Sequence, residues 1–103
     1  MDGFTQVAAT EEIQPGSMKS KRINNVAVLI CNVNGKFYAV ADECTHDFAP
    51  ISTGILDKDQ IVCPRHHARF SVIDGAVKAP PAVVPVETYE VKIENDIIFV
   101  KVD

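Results

Sequence analysis

Four dipeptides of turn-forming residues divide this chain into short segments, and they constrain its fold more than any other feature. Asn24-Asn25, Asn34-Gly35, Asp74-Gly75 and Asn95-Asp96 each stand between two segments rich in apolar residues. Asn, Asp and Gly tolerate the positive φ angles that tight hairpin turns require. Because each turn reverses the chain after only a few residues, the sequence predicts antiparallel strands joined by hairpins.

The segments between these turns have the patterns of strands. Tyr89, Val91 and Ile93 alternate with charged residues, which indicates a strand with one buried face and one wet face. The expected strands are Phe4–Ala8, Met18–Ile23, Val26–Val33, Phe37–Ala41, Arg69–Ile73 and Ile97–Val102. One helical turn at most is expected, at Glu11-Glu12-Ile13. We therefore predict an all-β fold, a small antiparallel β-sandwich or barrel, with residues 1–103 forming a single domain.

Charge and hydropathy argue against two classes of partner. The chain has 14 acidic and 10 basic residues and a formal net charge of −4. It therefore lacks the basic surface that nucleic acids or anionic membranes attract. Its apolar runs are far shorter than the roughly 20 residues of a membrane span, and its first residues do not resemble a signal peptide. Three cysteines do not form a secreted disulfide framework, so we expect a reducing, cytoplasmic location.

Two short motifs of Cys and His predict a metal site. Cys44-Thr45-His46 and Cys63-Pro64-Arg65-His66 each offer one thiolate and one imidazole, and sixteen residues separate His46 from Cys63. Two such loops facing each other would supply four ligands. A structural zinc could take all four, although zinc sites usually pair Cys with Cys and His with His along the sequence. The other possibility is a two-iron, two-sulfide cluster, with both Cys on one iron and both His on the other.

These two motifs resemble the paired motif of Rieske iron–sulfur proteins. The likeness extends to Pro80-Pro81, which is similar to a proline loop near the cluster in that family, and to the glycines Gly54 and Gly75. It implies a [2Fe-2S] cluster ligated by Cys44, His46, Cys63 and His66. The same resemblance implies a cluster-binding subdomain of two loops, at about residues 43–56 and 63–67.

Residues that are absent indicate the subclass. Quinol-oxidising Rieske proteins carry a disulfide between the cluster loops, but Ala49 and Arg65 stand at the matching positions here. Their cluster also accepts hydrogen bonds from a Ser and a Tyr, where this chain has Ala68 and Phe70. The chain therefore looks most like the ferredoxins of multicomponent oxygenases. Without those hydroxyls, its reduction potential is expected near the low end of the Rieske range, roughly −150 mV.

Two positions depart from the family pattern. Asp47 and His67 follow the two ligand histidines, where the family commonly has Gly. Gly often marks a left-handed backbone; Asp tolerates that conformation fairly well, and His is somewhat enriched in it. We expect His67 to be a surface residue rather than a fifth ligand.

Other residues near the motifs have plainer expectations. Phe48, Pro50 and Pro64 could form an apolar collar that either docks a partner or shields the cluster from water. Asp42 and Glu43 could belong to an acidic docking face, but a solvated turn is the simpler interpretation. The charged run from Asp57 to Asp59 is most simply a solvated loop.

The resemblance implies a one-electron carrier rather than an enzyme. It would accept electrons from a flavin-dependent reductase and pass them to a terminal oxygenase, with no substrate site of its own. One alternative is a redox-sensing or regulatory Rieske module; another is a zinc-stabilised interaction domain. A disulfide between Cys44 and Cys63 would leave both histidines unexplained, and Cys31, inside an apolar run, is expected to be a core thiol.

Overall fold

The computed structural model describes residues 3–45, 48–65 and 67–102. Their regular structure is ten β-strands and one short 3₁₀ turn, Thr10–Glu12. The strands, in chain order, are β1 (Phe4–Ala9), β2 (Met18–Ile23), β3 (Val26–Val33), β4 (Lys36–Ala41), β5 (Ile55–Asp57), β6 (Gln60–Val62), β7 (Arg69–Ser71), β8 (Val77–Ala79), β9 (Thr88–Glu94) and β10 (Ile97–Lys101). The all-β prediction is confirmed.

Six strands form a nearly closed barrel. Their order in the sheet is β1-β10-β9-β4-β3-β2, and the pairs are antiparallel. The edge strands β1 and β2 come into contact, so the sheet curls back on itself. We refer to these six strands as the barrel.

The remaining four strands form a second sheet, inserted between β4 and β9. Its order is β5-β6-β7-β8, again antiparallel. The chain leaves the barrel after β4 and returns where Ala39 pairs with Tyr89 and Val40 with Thr88. We call residues 42–87 the insertion; both Cys/His motifs lie in it.

Strand β3 explains how the two parts share a core. Side chains alternate between the two faces of a strand. Val28 and Ile30 are fully buried in the apolar cluster of the barrel, whereas Leu29 and Cys31 belong to a second cluster shared with the insertion. A strand buried on both faces reads as an unbroken apolar run, which is what Val26 to Cys31 shows.

The sequence located the barrel strands well. Strands β2 and β3 have the predicted bounds, and β1, β4 and β10 differ by one residue at one end. The turns at Asn24-Asn25 and Asn95-Asp96 have positive φ at both residues, as a two-residue hairpin of this kind requires. The 3₁₀ turn lies one residue before the predicted position.

One prediction in the insertion was wrong. Asp74-Gly75 is not a two-residue hairpin: β7 ends at Ser71, and a longer loop leads to β8. The solvated loop predicted from Asp57 to Asp59 is confirmed: it forms the turn of the β5–β6 hairpin, with Asp57 and Lys58 exposed and Lys58 at φ 58°. Strands β5, β6 and β8 have three residues each, too short to show an alternation, so the sequence pattern missed them; β7 was predicted, but as Arg69–Ile73, two residues longer than it is. Within the described residues, no helix is long and apolar enough to cross a membrane.

Candidate metal centre

The first Cys/His motif lies in a loop of six residues closed by two backbone hydrogen bonds. The N–H of Cys44 donates to the carbonyl oxygen of Ala49 at 2.7 Å. The N–H of Phe48 donates back to the carbonyl oxygen of Cys44, also at 2.7 Å. These bonds hold Cys44 at the base of the loop.

The second motif has the same closure. The N–H of Cys63 donates to the Ala68 carbonyl at 2.7 Å, and the N–H of His67 donates to the Cys63 carbonyl at 3.0 Å. The loop after β7 repeats the pattern: the N–H of Ser71 donates to the carbonyl oxygen of Ala76, and the N–H of Gly75 donates to the carbonyl oxygen of Ser71, both at 2.9 Å. The insertion therefore uses one loop geometry three times, and two of the three loops begin with cysteine.

The fifth residue of each loop is left-handed. Phe48 and His67 both have a φ of 62°, and Gly75 has a φ of 77°. His67 thus has the left-handed backbone that the glycine common at this position in the family indicates. In the first loop the residue equivalent to His67 is Phe48, one position after Asp47. Counting from the histidine therefore misaligned the loops, because Cys-x-His and Cys-x-x-His place the histidine differently within the same frame. Asp47 itself lies outside the described residues.

The two cysteines that begin these loops are buried in the same core cluster. Cys44 and Cys63 are both 0% exposed and belong to the same packed cluster as Ile51, Ile61 and Phe70. Among the described residues, which include all three cysteines, no disulfide forms. Two thiols at equivalent positions of two matching loops form a donor pair of the kind that a metal centre with thiolate ligands requires.

The imidazole half of the predicted donor set is His46 and His66, and both lie outside the described residues. Residues 3–45, 48–65 and 67–102 hold no group of three or more His, Cys, Asp or Glu side chains placed as a metal site. The histidine ligands therefore stay a prediction from the sequence. The described part of the site fits a metal centre through its cysteines.

The third cysteine has the environment of a core residue. Cys31 is 0% exposed on β3, and burial, with a smaller effect of the Asp42 charge, raises the pKa of its thiol to about 12. A thiol must lose its proton to bind a metal or react. The expectation that Cys31 is a core thiol is confirmed.

The outer face of the two loops is exposed. Phe48 is 72% exposed, and Pro50, Pro64 and His67 are also exposed. This exposure leaves apolar area available to a partner, and it is compatible with both interpretations of the apolar collar, because a side chain that covers a group can still expose its own outer face. His67 is a surface residue, as predicted.

The proline-rich segment lies against the first loop. The Thr45 hydroxyl donates a 2.6 Å hydrogen bond to the Val84 carbonyl oxygen. Ala82 and Val86 are buried, whereas Val83 is 86% and Val84 54% exposed. The segment therefore anchors in the core at two points and extends the apolar surface next to the first loop. Sequence reasoning missed this role of Thr45. The only sequence signal for it was a hydroxyl between the first two predicted ligands, and nothing in the sequence indicated its partner.

An acidic groove of about 520 Å³ borders Phe48. Glu43 and Glu87 line it, together with Arg22 and Tyr89. Partial burial, followed by the charge of Glu87, raises the pKa of Tyr89, whose hydroxyl lies 3.4 Å from the Glu87 carboxylate.

Glu43 is exposed, as expected for a solvated turn. The same expectation for Asp42 was wrong, because its carboxylate is buried and accepts three hydrogen bonds.

Ala68 ends the second loop and Phe70 lies on β7, the strand that follows it. Both side chains are 0% exposed in the core cluster that contains the two cysteines. Neither side chain carries a hydroxyl, so neither side chain can donate a hydrogen bond to a sulfur atom at this site.

Comparison with known proteins agrees with this geometry. Residues 3–90 match the model of the Rieske [2Fe-2S] domain. The chain is 36% identical over 100 residues to the ferredoxin component of biphenyl 2,3-dioxygenase from Rhodococcus jostii, covering 97% of this chain and 94% of the relative.

Solved structures share the fold. The ferredoxin of carbazole 1,9a-dioxygenase from Nocardioides aromaticivorans superposes with a TM-score of 0.92 at 29% identity, covering 96% of this chain and 97% of that one. A chain in a complex of reduced oxygenase and oxidized ferredoxin of carbazole 1,9a-dioxygenase superposes with a TM-score of 0.91 at 32% identity, covering 98% and 94%.

Proposed function

This chain belongs to the Rieske [2Fe-2S] domain family, and from that premise we propose that it carries single electrons from a flavin-dependent reductase to a terminal oxygenase. The chain is an electron-transfer component rather than an enzyme, as are the ferredoxin components that it resembles. The repeated loop geometry that places Cys44 and Cys63 in one core is the observation that carries the proposal.

Four residues would hold the cluster. We propose Cys44 and Cys63 as ligands of one iron and His46 and His66 as ligands of the other. When bound, the cluster supplies a one-electron redox centre that needs no proton or substrate site. With only two thiolates among the ligands, the oxidised centre is neutral, so it accepts an electron more readily than a centre with four thiolates.

The surface around the two loops supports contact with a redox partner. Phe48, Val83 and Val84 give it exposed apolar area, and the groove with Glu43 and Glu87 gives it negative charge. Such a surface complements a partner face on which basic side chains surround an apolar patch. A structure related to this chain was solved as a complex of ferredoxin with oxygenase, which supports the oxygenase as acceptor. The flavin-dependent donor and a cytoplasmic location remain predictions from the sequence.

Metal analysis with cysteine variants tests the ligand set. Purified protein should contain about two irons and two acid-labile sulfides per chain. Cys44→Ser, Cys63→Ser, His46→Ala and His66→Ala should each lose the cluster, because each removes a ligand. Cys31→Ser is the matched control, since Cys31 is equally buried but lies on a strand of the barrel. Zinc in place of iron, or full iron in Cys63→Ser, would contradict the assignment.

A reconstituted turnover assay tests the function itself. The chain would replace the ferredoxin component in the biphenyl and the carbazole dioxygenase systems, with reductase and oxygenase kept constant. We expect product formation that depends on this chain and is abolished by Cys44→Ser. A protein that holds its cluster, yet transfers no electron to either oxygenase, would contradict the carrier function and favour a redox sensor.

A further inference from the structure

The Asp42 side chain ties three parts of the molecule together. Its Oδ2 accepts a 2.8 Å hydrogen bond from the hydroxyl of Ser20 on β2. Its Oδ1 accepts hydrogen bonds from the backbone N–H groups of Ile51 and Ser52, at 2.9 and 2.8 Å. The N–H of Asp42 itself donates to the Ala27 carbonyl of β3 at 3.0 Å. One buried carboxylate thus connects the barrel to the segment that follows the first loop.

This arrangement surrounds the first cysteine. Asp42 lies two residues before Cys44, and Ile51 and Ser52 lie just after the loop that Cys44 begins. Ile51 is 0% exposed and packs in the core cluster that contains both cysteines. Because Asp42 fixes the entry and the exit of the loop at one point, its loss would free both ends.

The chemistry of the three bonds requires an acceptor at this position. A carboxylate has two oxygen atoms that only accept, which matches two N–H donors and one hydroxyl. Without it, the Ile51 N–H would be buried without a partner, and a buried donor left without one is costly. An amide could keep Oδ1 for the two N–H groups and donate from its nitrogen to the Ser20 oxygen.

The charge of Asp42 has a second consequence. Its negative charge is fixed in a buried place close to the first loop, where screening by solvent is weak. Reduction adds one negative charge to the centre. A fixed negative charge nearby therefore disfavours the reduced state.

Resting on the function proposed above, we propose that Asp42 is a positioning residue for the first cluster loop, and that its charge lowers the reduction potential. The geometric role and the electrostatic role are separable, because Asp42→Asn keeps acceptors for the two N–H groups while removing the charge. Asp42→Ala removes both. Ser20→Ala removes one hydrogen bond and keeps the charge, so it is the matched control.

The experiment measures cluster release to an iron chelator and the midpoint potential by protein-film voltammetry, on the isolated holoprotein. Asp42→Ala should release its cluster at least about tenfold faster than wild type, since buried donors lose their partner. Asp42→Asn should stay within about threefold of the wild-type rate but show a higher midpoint potential. Ser20→Ala should leave the midpoint potential unchanged.

The positioning role would be overturned if Asp42→Ala released its cluster at the wild-type rate. It would also be overturned if Asp42→Asn released its cluster as fast as Asp42→Ala. An unchanged midpoint potential in Asp42→Asn would overturn the electrostatic role. If Asp42→Ala does not fold, Asp42→Asn decides both: slow release with a raised potential supports the proposal, and fast release or an unchanged potential overturns it. Neither measurement involves a partner, so failure of the turnover assay would leave this result intact, and the reverse also holds.

Discussion

The barrel and the insertion fill their left-handed backbone positions with different residues. The barrel hairpins place Asn, Asp or Gly there, as at Asn24-Asn25, Asn34-Gly35 and Asn95-Asp96. The two cysteine loops of the insertion place Phe48 and His67 there instead, at a φ of 62°. Only the third loop of the same geometry, which has no cysteine, uses glycine at this position, Gly75.

In the barrel, the residues at positive φ are those that close a hairpin turn at little cost. In the cysteine loops, they are larger side chains that are exposed at the surface. Asn, Asp and Gly adopt positive φ at little cost, whereas a bulky aromatic residue there is unusual. Phe48 is also 72% exposed, so burial does not compensate for the strained backbone. Strained positions of this kind cluster at functional sites. The barrel turns therefore use residues that close a hairpin at little cost, whereas the cysteine loops place exposed side chains on the face that we propose to contact a partner.

The largest expected effect comes from adding one methyl group to a glycine in each region. A Cβ on Gly54 would overlap the carbonyl oxygen of Val62 and press on Pro64, whereas a Cβ on Gly35 would meet nothing within 4 Å. Gly54→Ala should therefore cost about 3 kcal/mol of unfolding free energy by overpacking. Gly35→Ala should cost about 1 kcal/mol, for its left-handed backbone alone.

Thermal denaturation of the holoprotein at one fixed scan rate measures this contrast. The apparent melting temperature should fall by roughly 12–24 °C in Gly54→Ala and by roughly 4–8 °C in Gly35→Ala. Equal shifts in the two variants would break the comparison. They would show that the steric overlap at Gly54 costs no more than the backbone strain at Gly35.

The barrel was predictable because its signals are local. Two-residue turns of Asn, Asp and Gly and the alternation around Tyr89 and Val91 are visible in the sequence, and they gave β2 and β3 their observed bounds. The insertion was less predictable because its strands have three residues each. The loop after Ser71 was misread, since the same Asp-Gly dipeptide occurs in hairpins of different length.

The candidate site was predictable in its ligand types but not in its supports. Cys44 and Cys63 stood out because matching pairs of Cys and His are rare. The buried carboxylate of Asp42 did not, because an Asp before a loop usually lies in water and its partners, Ser20 and Ile51, are distant in sequence. Hydrogen bonds between distant residues leave no periodic pattern in a single sequence.

A smaller effect is expected from restoring favourable residues to the left-handed positions. A non-glycine residue in this conformation costs about 1–2 kcal/mol of unfolding free energy. Replacing it with glycine removes that cost, but about 0.5–1 kcal/mol of the gain is lost because glycine gives up more conformational entropy on folding. His67→Gly should therefore raise the unfolding free energy by about 0.5 kcal/mol, and Phe48→Gly should do the same. Asn34→Gly, the barrel control, should gain less because Asn already tolerates positive φ.

Apparent melting temperatures of the three variants, with full iron content confirmed, check this prediction. Gains confined to His67→Gly and Phe48→Gly would sharpen the contrast between the two regions. A loss of stability in both would show that these side chains make contacts worth more than the strain, and the contrast would then be one of packing rather than of surface.

The smallest expected effect concerns acid, and it compares one carboxylate in each region. The N–H of Ala9, followed by the Lys19 ammonium, holds the pKa of Glu12 in the barrel below its ordinary value of 4.5. The N–H of Ala76 is the main cause that holds the pKa of Asp74 in the insertion below 3.8. A group with a lowered pKa in the folded state stabilises that state above the unfolded pKa, and the contribution is lost as the pH falls through the folded pKa. Both carboxylates are exposed, so each effect is small.

Stability measured from about pH 6 to about pH 3 should therefore decline less steeply in Glu12→Gln and in Asp74→Asn than in wild type. Two readouts assign each effect to its region: far-ultraviolet circular dichroism follows the whole fold, and visible absorbance follows the cluster alone. Asp74 accepts its main hydrogen bond in the loop that repeats the cysteine-loop geometry. Asp74→Asn should therefore change the acid midpoint of the visible absorbance. Glu12, which joins the 3₁₀ turn to Lys19 on β2, should change the circular dichroism more than the absorbance. If Glu12→Gln shifted both midpoints equally, the barrel and the insertion would unfold in acid as one cooperative unit, and the division between them would be one of composition and not of stability.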